Sequence, residues 1–337
     1  MQGEPPAALD KAMAILRRVT AILVCLPAAL AIHGQQGQVS GPIAGYVFAG
    51  AVLRPIAGVP GGATLGDALS LGLAATAAVV SPQLDSAIVT ASDGSLHLFR
   101  PSGNTATEVS WNGVPQGPAR VVYSPSGTAA AIYASGRVQV VSGLPNSPAT
   151  SYTAEIGPAP ETLTRQTIHA APQAMAVSDD AAYLLVASEG RLRLLSASGS
   201  SSWLLDGVRE VSVAFASGGH TAAVLSGAGP WLDVFPDVSA DATQRIAAPG
   251  LAEPVGLAFS ADGKSVLAAA HGSKPVTIFN LAAAGAATTL DCNCAPTTAA
   301  RLGSLFRLTD AGAGPVWLVD TGVSPPRIVF VPARANP

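Results

Sequence analysis

Residues Ser260–Leu281 read SADGKSVLAAAHGSKPVTIFNL, and degraded copies of this stretch follow one another along most of the chain. Each copy has a short apolar run, a tight turn, a run of small residues, a second turn rich in glycine and an alternating run. The tight turns begin at Ser81, Ser124, Ser178, Ala216 and Ser260, and an eroded sixth copy, anchored near Leu302, spans 298–320. The chain therefore repeats one strand-rich unit at intervals of roughly 40–45 residues, with one longer step.

This period predicts an all-β fold, a β-propeller whose blades are four-stranded antiparallel sheets around a central channel. The first run of a repeat, such as Leu257–Phe259, is apolar throughout, as expected for a strand buried on both faces. The third run, such as Arg137–Val141, alternates because one face packs and the other meets water. Small residues such as Ala268–Ala270 suit second strands, where blades approach closely. Since a lone blade cannot bury its faces, we expect stability to come from stacking.

The number of blades stays open between six and seven. Six first strands are visible, but residues 41–80 span one more repeat length and begin with a predicted hairpin, Tyr46–Phe48 with Val52–Ile56. If an N-terminal strand closes the ring, its expected partner is Val316–Val319 or Arg327–Val331. We predict a single propeller domain over 41–335. Residues 143–172, rich in proline, are predicted to form a long surface loop, either functional or mobile.

The N-terminus resembles an export leader. Residues 19–31 read VTAILVCLPAALA, an apolar run shorter than the about 20 residues that span a bilayer. Arg17 and Arg18 precede it and small residues end it, which predicts a signal peptide over 1–31 and a short linker over 32–40. Met13 is our hypothesis for the true start, because the residues before it are acidic and rich in proline. The mature chain is then secreted or periplasmic, with no transmembrane anchor.

Composition excludes some classes of protein. Hydrophobic residues make up 49% of the chain and charged residues 12%, with 35 glycines and 27 prolines, too apolar for a disordered chain. The net charge is −3 and no basic stripe occurs, so we predict no nucleic-acid binding.

The opening stretch resembles the repeat of bacterial YVTN-type propellers. Ser260–Lys264, Val266–Ala270 and Val276–Leu281 carry the resemblance, which covers 76–331 loosely and 255–281 best. Where that family has a Tyr-Val-Thr-Asn strand, this chain has Leu267–Ala270. The resemblance implies an extracytoplasmic propeller used for binding or surface display. A fold by itself does not specify a function.

Cys292 and Cys294 are the only cysteines outside the leader, which holds Cys25. In an oxidising compartment they invite a disulfide across one intervening residue. Three interpretations stay open: a local staple of the loop that enters the last blade, a pair of free thiols, or a redox or metal site. A metal site would need further ligands, and no CxxC or His-x-His pattern accompanies the pair.

No catalytic constellation emerges from the chain. The five histidines occupy different repeat positions and are not expected to converge on the axis: His33, His97, His169, His220 and His271. We find no Gly-x-Ser-x-Gly elbow, and the Gly-rich turns lead into no helix that would bind phosphate. We therefore predict no catalytic, cofactor-binding or metal-binding residues, and no cofactor.

The connections between second and third strands are expected to project from one face around the channel mouth, which would make a natural binding surface. Each candidate residue on these loops could equally be an ordinary solvated turn residue. The candidates are Asp93, Arg137, Glu189, Arg191, His271, Lys274 and Asp310.

Three functions compete. The first is an exported, non-enzymatic propeller that binds a protein, glycan or envelope ligand as a monomer. The second is a propeller enzyme, a lactonase-like hydrolase or a quinone- or metal-dependent enzyme, with its site at the channel mouth. The third is a degenerate structural domain of an envelope assembly. A channel lined only by Ala, Ser and Val would count against the enzyme.

Overall fold

The computed structural model of the protein describes residues 41–117, 119–156, 171–251, 253–271, 275–312 and 314–333. These residues form seven antiparallel sheets, six with four strands and one with three. The strands of each sheet pair in chain order, which is the up-and-down arrangement of a propeller blade. The predicted all-β propeller is confirmed, and the number of blades is seven.

The blades follow one another along the chain. Blade 1 comprises β1 (Ile43–Ala49), β2 (Val52–Ala57) and β3 (Thr64–Leu65). Blade 2 comprises β4 (Ala75–Val80), β5 (Ala87–Ala91), β6 (Leu96–Ser102) and β7 (Thr105–Val109). Blade 3 comprises β8 (Arg120–Tyr123), β9 (Ala129–Ala134), β10 (Arg137–Ser142) and β11 (Ala149–Glu155). Blade 4 comprises β12 (Ala174–Val177), β13 (Tyr183–Ser188), β14 (Arg191–Ser196) and β15 (Ser201–Asp206).

The last three blades have the same order. Blade 5 comprises β16 (Val211–Phe215), β17 (Ala222–Ser226), β18 (Trp231–Phe235) and β19 (Gln244–Ala247). Blade 6 comprises β20 (Pro254–Phe259), β21 (Ser265–Ala270), β22 (Pro275–Asn280) and β23 (Ala286–Asp291), with a 3-10 turn at Leu281–Ala283. Blade 7 comprises β24 (Ala300–Leu302), β25 (Leu305–Arg307), β26 (Val316–Asp320) and β27 (Arg327–Val331).

Seven hydrophobic clusters hold the ring together, and each is shared by two neighbouring blades. Between blades 5 and 6, for example, Leu225 and Leu232 pack in one cluster with Phe259 and Phe279. The seventh cluster joins the ends of the ring, because Val47 and Ile56 of blade 1 share it with Leu318 of blade 7. Since each blade buries its faces against its neighbours, burial of apolar surface is what closes the ring.

Blade 1 differs from the other six. The central cavity is lined by β4, β8, β12, β16, β20 and β24 with their adjoining residues, the first strands of blades 2 to 7, and by none of β1. The first turn of blade 7 reaches past blade 1 to blade 2, where Gly303 N donates to Pro82 O at 2.9 Å. Gly45 of β1 lies under Leu302, so closely that an added Cβ would be 2.6 Å from Leu302 Cγ. Within the described residues, blade 1 therefore lacks an inner strand, which reconciles six visible first strands with seven blades.

The prediction that an N-terminal strand pairs with Val316–Val319 or Arg327–Val331 is wrong. These two segments pair with each other as β26 and β27, and β1 pairs with β2. The physical reason is that blade 7 already has four strands from its own segment. The ends meet through the shared cluster and one parallel bridge between Ala49 and Ala311.

The structure has the predicted tight turns and differs from the predicted loop over 143–172. Gly94, Gly127 and Gly263 have φ of 84°, 76° and 69°, as their turns require. The predicted loop over 143–172 is wrong for 149–155, which is β11, the fourth strand of blade 3. The strand pairs with β10, and side-chain alternation places Tyr152 and Ala154 on one face, which packs in the cluster shared with blade 4. Residues 157–170, the predicted leader and the 32–40 linker lie outside the described residues.

Candidate functional site

The propeller has two ends, here called the turn face and the linker face. The turn face carries the connections from first to second strands, which begin at Ser81, Ser124, Ser178, Ala216 and Ser260. The linker face is the opposite end, with the connections from second to third strands and the links between blades.

Serine begins most turns of the turn face because its hydroxyl organises the turn. Ser260 Oγ accepts a hydrogen bond from Ser265 N at 3.0 Å and donates to Asp262 Oδ1 at 2.6 Å. Ser178 Oγ repeats this with Tyr183 N at 2.9 Å and Asp180 Oδ1 at 2.6 Å. Such side-chain to backbone bonds stabilise tight turns, so each repeat presents a rigid turn beside the channel.

Asp179 joins three of these turns. Its carboxylate accepts hydrogen bonds from Ser126 N at 2.6 Å in blade 3, and from Gly218 N at 2.8 Å and Ser217 Oγ at 3.2 Å in blade 5. Burial raises the pKa of Asp179, but the bonds from Ser126 and Gly218 outweigh it and hold the pKa below its usual value. Asp179 is therefore an anion at neutral pH and fixes blades 3, 4 and 5 to one another.

Asp180 makes a second link between blades 4 and 5. Its Oδ2 lies 2.8 Å from His220 Nε2. Burial raises the pKa of Asp180, but the bonds with Ser178 and His220 outweigh it and bring the pKa to about 2. This histidine is thus engaged in a contact between turns.

The central channel is mainly aliphatic. Its cavity toward the turn face has a volume of about 240 Å³. Most of its lining consists of Val, Ala, Leu, Phe, Met and Pro side chains from the six inner strands and the turns that follow them, and its two polar lining residues are Tyr123 and Arg301. Burial raises the pKa of the Tyr123 phenol, which stays neutral.

Arg301, in β24, holds the charge at the turn-face mouth. Its Nη2 donates to Pro125 O in blade 3. Its Nε is buried and has no hydrogen-bond partner. Burial lowers the pKa of Arg301 while the nearby Asp179 charge raises it, and an arginine remains a cation throughout the physiological range. Donor groups remain on this guanidinium beside an apolar cavity.

The linker-face end of the channel has its own arginine. A second cavity of about 240 Å³ is lined there by Arg120, Gln173 and Ser212, together with apolar residues. Arg120 Nη1 donates to Pro172 O at 2.6 Å, and burial lowers its pKa. The aliphatic wall thus lies between two cations, each bound to a proline carbonyl.

A cleft between blades 6 and 7 adjoins Arg301. It has a volume of about 410 Å³ and an apolar part formed by Leu267, Ile278 and Phe306. Polar residues line the remainder: Ser260, Asp262, Ser265, Arg301, Ser304 and Thr321. Arg301 thus lines both the cleft and the channel.

The loop residues predicted from the sequence lie on the linker face, and several are bonded within their own blades. Asp93 accepts from Ser95 N and Oγ, and these bonds lower its pKa. The other contacts are Arg137–Glu155 at 2.5 Å, Arg191–Asp206 at 3.0 Å, Asp310–Arg307 at 3.2 Å, and His271 N to Glu253 O at 2.8 Å. Glu189 occupies a turn with φ of 50°, and Lys274 lies outside the described residues. None of the described contacts joins one of these residues to another.

Cys292 and Cys294 form a disulfide in the segment between β23 and β24, with their Cα atoms 5.0 Å apart. Cys292 is 1% exposed and packs with Ala299 and Phe306 between blades 6 and 7. The bond therefore lies in the link that leads to Arg301.

The histidines are dispersed. His97 binds Glu108 at 2.7 Å within blade 2, His220 binds Asp180, and His271 lies on the linker face; His33 and His169 fall outside the described residues. In the described parts of the chain, no group of three or more His, Cys, Asp or Glu side chains is arranged to hold a metal ion.

Sequence reasoning missed Arg301, Arg120 and Asp179. Arg301 is the middle residue of the inner strand in the eroded sixth repeat, whereas the corresponding run Leu257–Phe259 is apolar throughout. One charged residue in an otherwise apolar strand is the signal that could have pointed to Arg301. Asp179 resembled any other turn residue, since its bonds to other blades depend on the closed ring.

No protein-family model matches this chain, and no curated protein matches it. Among solved structures it is similar to the crystal structure of a functionally unknown protein from Desulfotomaculum acetoxidans, with 12% sequence identity and a TM-score of 0.55. That likeness covers 84% of this chain and 96% of the other, and at this identity it shows the propeller fold alone.

None of the helices in the described segments has the length and apolar character needed to cross a membrane.

Proposed function

We propose that this protein is an exported, non-enzymatic β-propeller that binds its ligand at the turn face, where channel and cleft meet at Arg301. The observation that carries the proposal is this junction: a cavity of about 240 Å³ and a cleft of about 410 Å³ share one lining residue, Arg301. Concave, largely apolar sites with a few converging polar groups are typical of ligand sites.

The rigidity of the turn face supports binding. Asp179 and the serine-organised turns hold neighbouring blades in fixed positions around the mouth. A rigid site loses little conformational entropy when a ligand binds, so its few polar contacts contribute more to affinity. The apolar channel wall supplies area to bury and offers few groups for acid–base or nucleophilic chemistry.

Export is part of the proposal. The apolar segment after Arg17 and Arg18 reads as a leader, and the Cys292–Cys294 disulfide suits an oxidising compartment. Fractionation of cells that express the full chain, with N-terminal sequencing of the product, tests this. A product that begins near His33 in the periplasm or medium supports export, and an uncleaved cytoplasmic product contradicts it.

The binding test uses the purified mature chain in a glycan array and in pull-downs from envelope extracts, followed by affinity measurement for each hit. Arg301→Lys is the test variant, and Arg137→Lys, an exposed arginine on the linker face, is the matched control. We expect a ligand whose affinity falls for Arg301→Lys and is unchanged for Arg137→Lys.

A ligand that depends on Arg137 or Arg191 instead would move the site to the linker face, and reproducible turnover of a substrate would overturn the non-enzymatic proposal. Light scattering is expected to report a monomer.

A further inference from the structure

We infer that the channel at the turn face takes a small carboxylate with an unbranched aliphatic body, with its carboxylate at Arg301 and its chain along the inner strands. The inference rests on the proposed function, because it names the chemical class of ligand for the same site. It follows from the channel wall, from the unused donors of Arg301 and from the bonding of Asp179.

The channel wall suits an aliphatic chain. Valines and alanines of the inner strands, such as Val80, Val122, Val177 and Ala214, line the cavity. An aliphatic chain that lies along this wall removes apolar surface from water, which favours binding. At about 240 Å³ the space admits a short chain.

Arg301 suits a carboxylate. A guanidinium has five N–H donors in a planar fork, and the described bonds of Arg301 use only its Nη2, toward Pro125 O. Its Nε–H is buried and unpaired, which is costly for a charged group. Because the Nε has almost no exposed surface, a carboxylate in the cavity would accept from the other guanidinium donors that Pro125 O leaves unused, in a charge-assisted contact.

Asp179 does not act as the carboxylate partner of the Arg301 guanidinium. Both of its oxygens accept hydrogen bonds from the turns of blades 3 and 5, and no salt bridge joins it to Arg301 among the described residues. Its charge reaches Arg301 only as a longer-range interaction. The charge of Arg301 is therefore only partly balanced, and no described carboxylate pairs with its guanidinium.

The experiment measures binding of acetate, butanoate, hexanoate and octanoate to the full mature chain by calorimetry, beside the primary alcohols of equal length. We expect affinity to rise about fourfold for each methylene group and then to level off when the channel is full. Each carboxylate should bind at least tenfold more tightly than its alcohol, as expected for a charge-assisted contact.

Variants of Arg301 test whether its guanidinium binds the carboxylate of the ligand. Arg301→Met should reduce carboxylate affinity at least tenfold, to that of the alcohol, and leave alcohol binding unchanged. Arg301→Lys, which keeps the charge and loses the fork, should lie between the two. Arg137→Met is the matched control and should behave as wild type. Circular dichroism melts confirm folding, and Arg301→Lys keeps the test decisive if Arg301→Met does not fold.

Equal affinity for alcohols and carboxylates, or carboxylate binding that survives Arg301→Met in a folded protein, would overturn the inference. No affinity gain with chain length would also overturn it, since the aliphatic wall would then make no contribution. If no carboxylate binds but a glycan or protein binds with dependence on Arg301, the inference fails and the proposed function stands. If that ligand does not depend on Arg301, both fail.

Discussion

Arg301 in blade 7 donates a hydrogen bond to the backbone oxygen of Pro125 in blade 3, a residue 176 positions earlier in the chain. The two blades are not neighbours in the ring, so this bond crosses the turn-face mouth. It brings the cation of an eroded repeat against the tight turn of a regular one. The mouth is consequently defined by a contact that no single blade contains.

The packing between blades 6 and 7 predicts that Gly256→Ala is severely destabilising. A Cβ at Gly256 would lie 2.6 Å from Ala299 Cα and even closer to Ala299 N, and backbone cannot move aside cheaply. We expect the free energy of unfolding to fall by about 3 kcal/mol, measured by guanidinium denaturation.

Gly219→Ala is the matched control for that prediction. An added Cβ at Gly219 meets nothing within 4 Å, and the residue does not have a positive φ. This variant should lie within about 0.5 kcal/mol of wild type. Equal stability of the two variants would show that blades 6 and 7 are not in close contact at Gly256.

The Asp179 bonds predict a stability that depends on pH. At neutral pH, Asp179→Asn should lower the free energy of unfolding by about 2 kcal/mol, because an amide group would face N–H donors and the charge-assisted bonds are lost. The folded pKa lies below the unfolded value near 3.9, so the contribution is fully present above about pH 4. It is lost as the pH falls through the folded pKa.

Unfolding of wild type and Asp179→Asn measured between pH 7 and pH 2.5 checks this dependence. The difference between the two proteins should shrink at the acidic end. Asp241→Asn, at an exposed position, serves as the control and should follow wild type throughout. A difference between wild type and Asp179→Asn that stays constant with pH would contradict the assigned charge.

The disulfide predicts a modest stabilisation. A bridge across one intervening residue closes a very small loop, for which chain entropy supplies about 1.5 kcal/mol. Cys292→Ala combined with Cys294→Ala should lose about that much. Dithiothreitol should destabilise wild type to a similar degree and leave the double variant unchanged. A reductant effect of equal size on both proteins would contradict a contribution from this bond.

Two cross-strand ion pairs should differ in strength because their carboxylates differ in burial. In blade 7, Arg327 Nε and Nη2 both donate to Asp320 Oδ2, at 3.2 and 3.1 Å, and the Asp320 side chain is 8% exposed. In blade 3, the side chains of Arg137 and Glu155 are both 66% exposed. Double-mutant cycles to alanine should give about 1 kcal/mol for the first pair and under about 0.5 kcal/mol for the second. The reverse order would contradict the role of burial.

Much of the blade could be predicted because its signals are local. The alternation of Arg137–Val141 and the alanines of Ala268–Ala270 describe strands whose neighbours lie within the same repeat unit. Gly127 and Gly263 mark turns through a φ that other residues rarely adopt. The missing inner strand of blade 1 was not visible in this way, because it depends on how Leu302 and Gly303 meet Gly45 and Pro82.

The candidate site at the turn face could not be predicted from the sequence for the same reason. The linker-face loops occupy equivalent repeat positions, which predicts a shared surface, and Arg137 and Arg191 on these loops bind acids of their own blades. Arg301 and Asp179 give no local signal, because each makes its decisive contacts with other blades, far away in sequence.

The amino-acid sequence by itself determined the repeat, its strands and its turns, since hydrophobic alternation and glycine conformation act over a few residues. Closure into seven blades around six inner strands, and the arrival of one guanidinium at the mouth of an aliphatic channel, were decided only by tertiary structure. The physical reason is that these features arise from packing between blades, where residues far apart in the chain become neighbours only when the ring is complete.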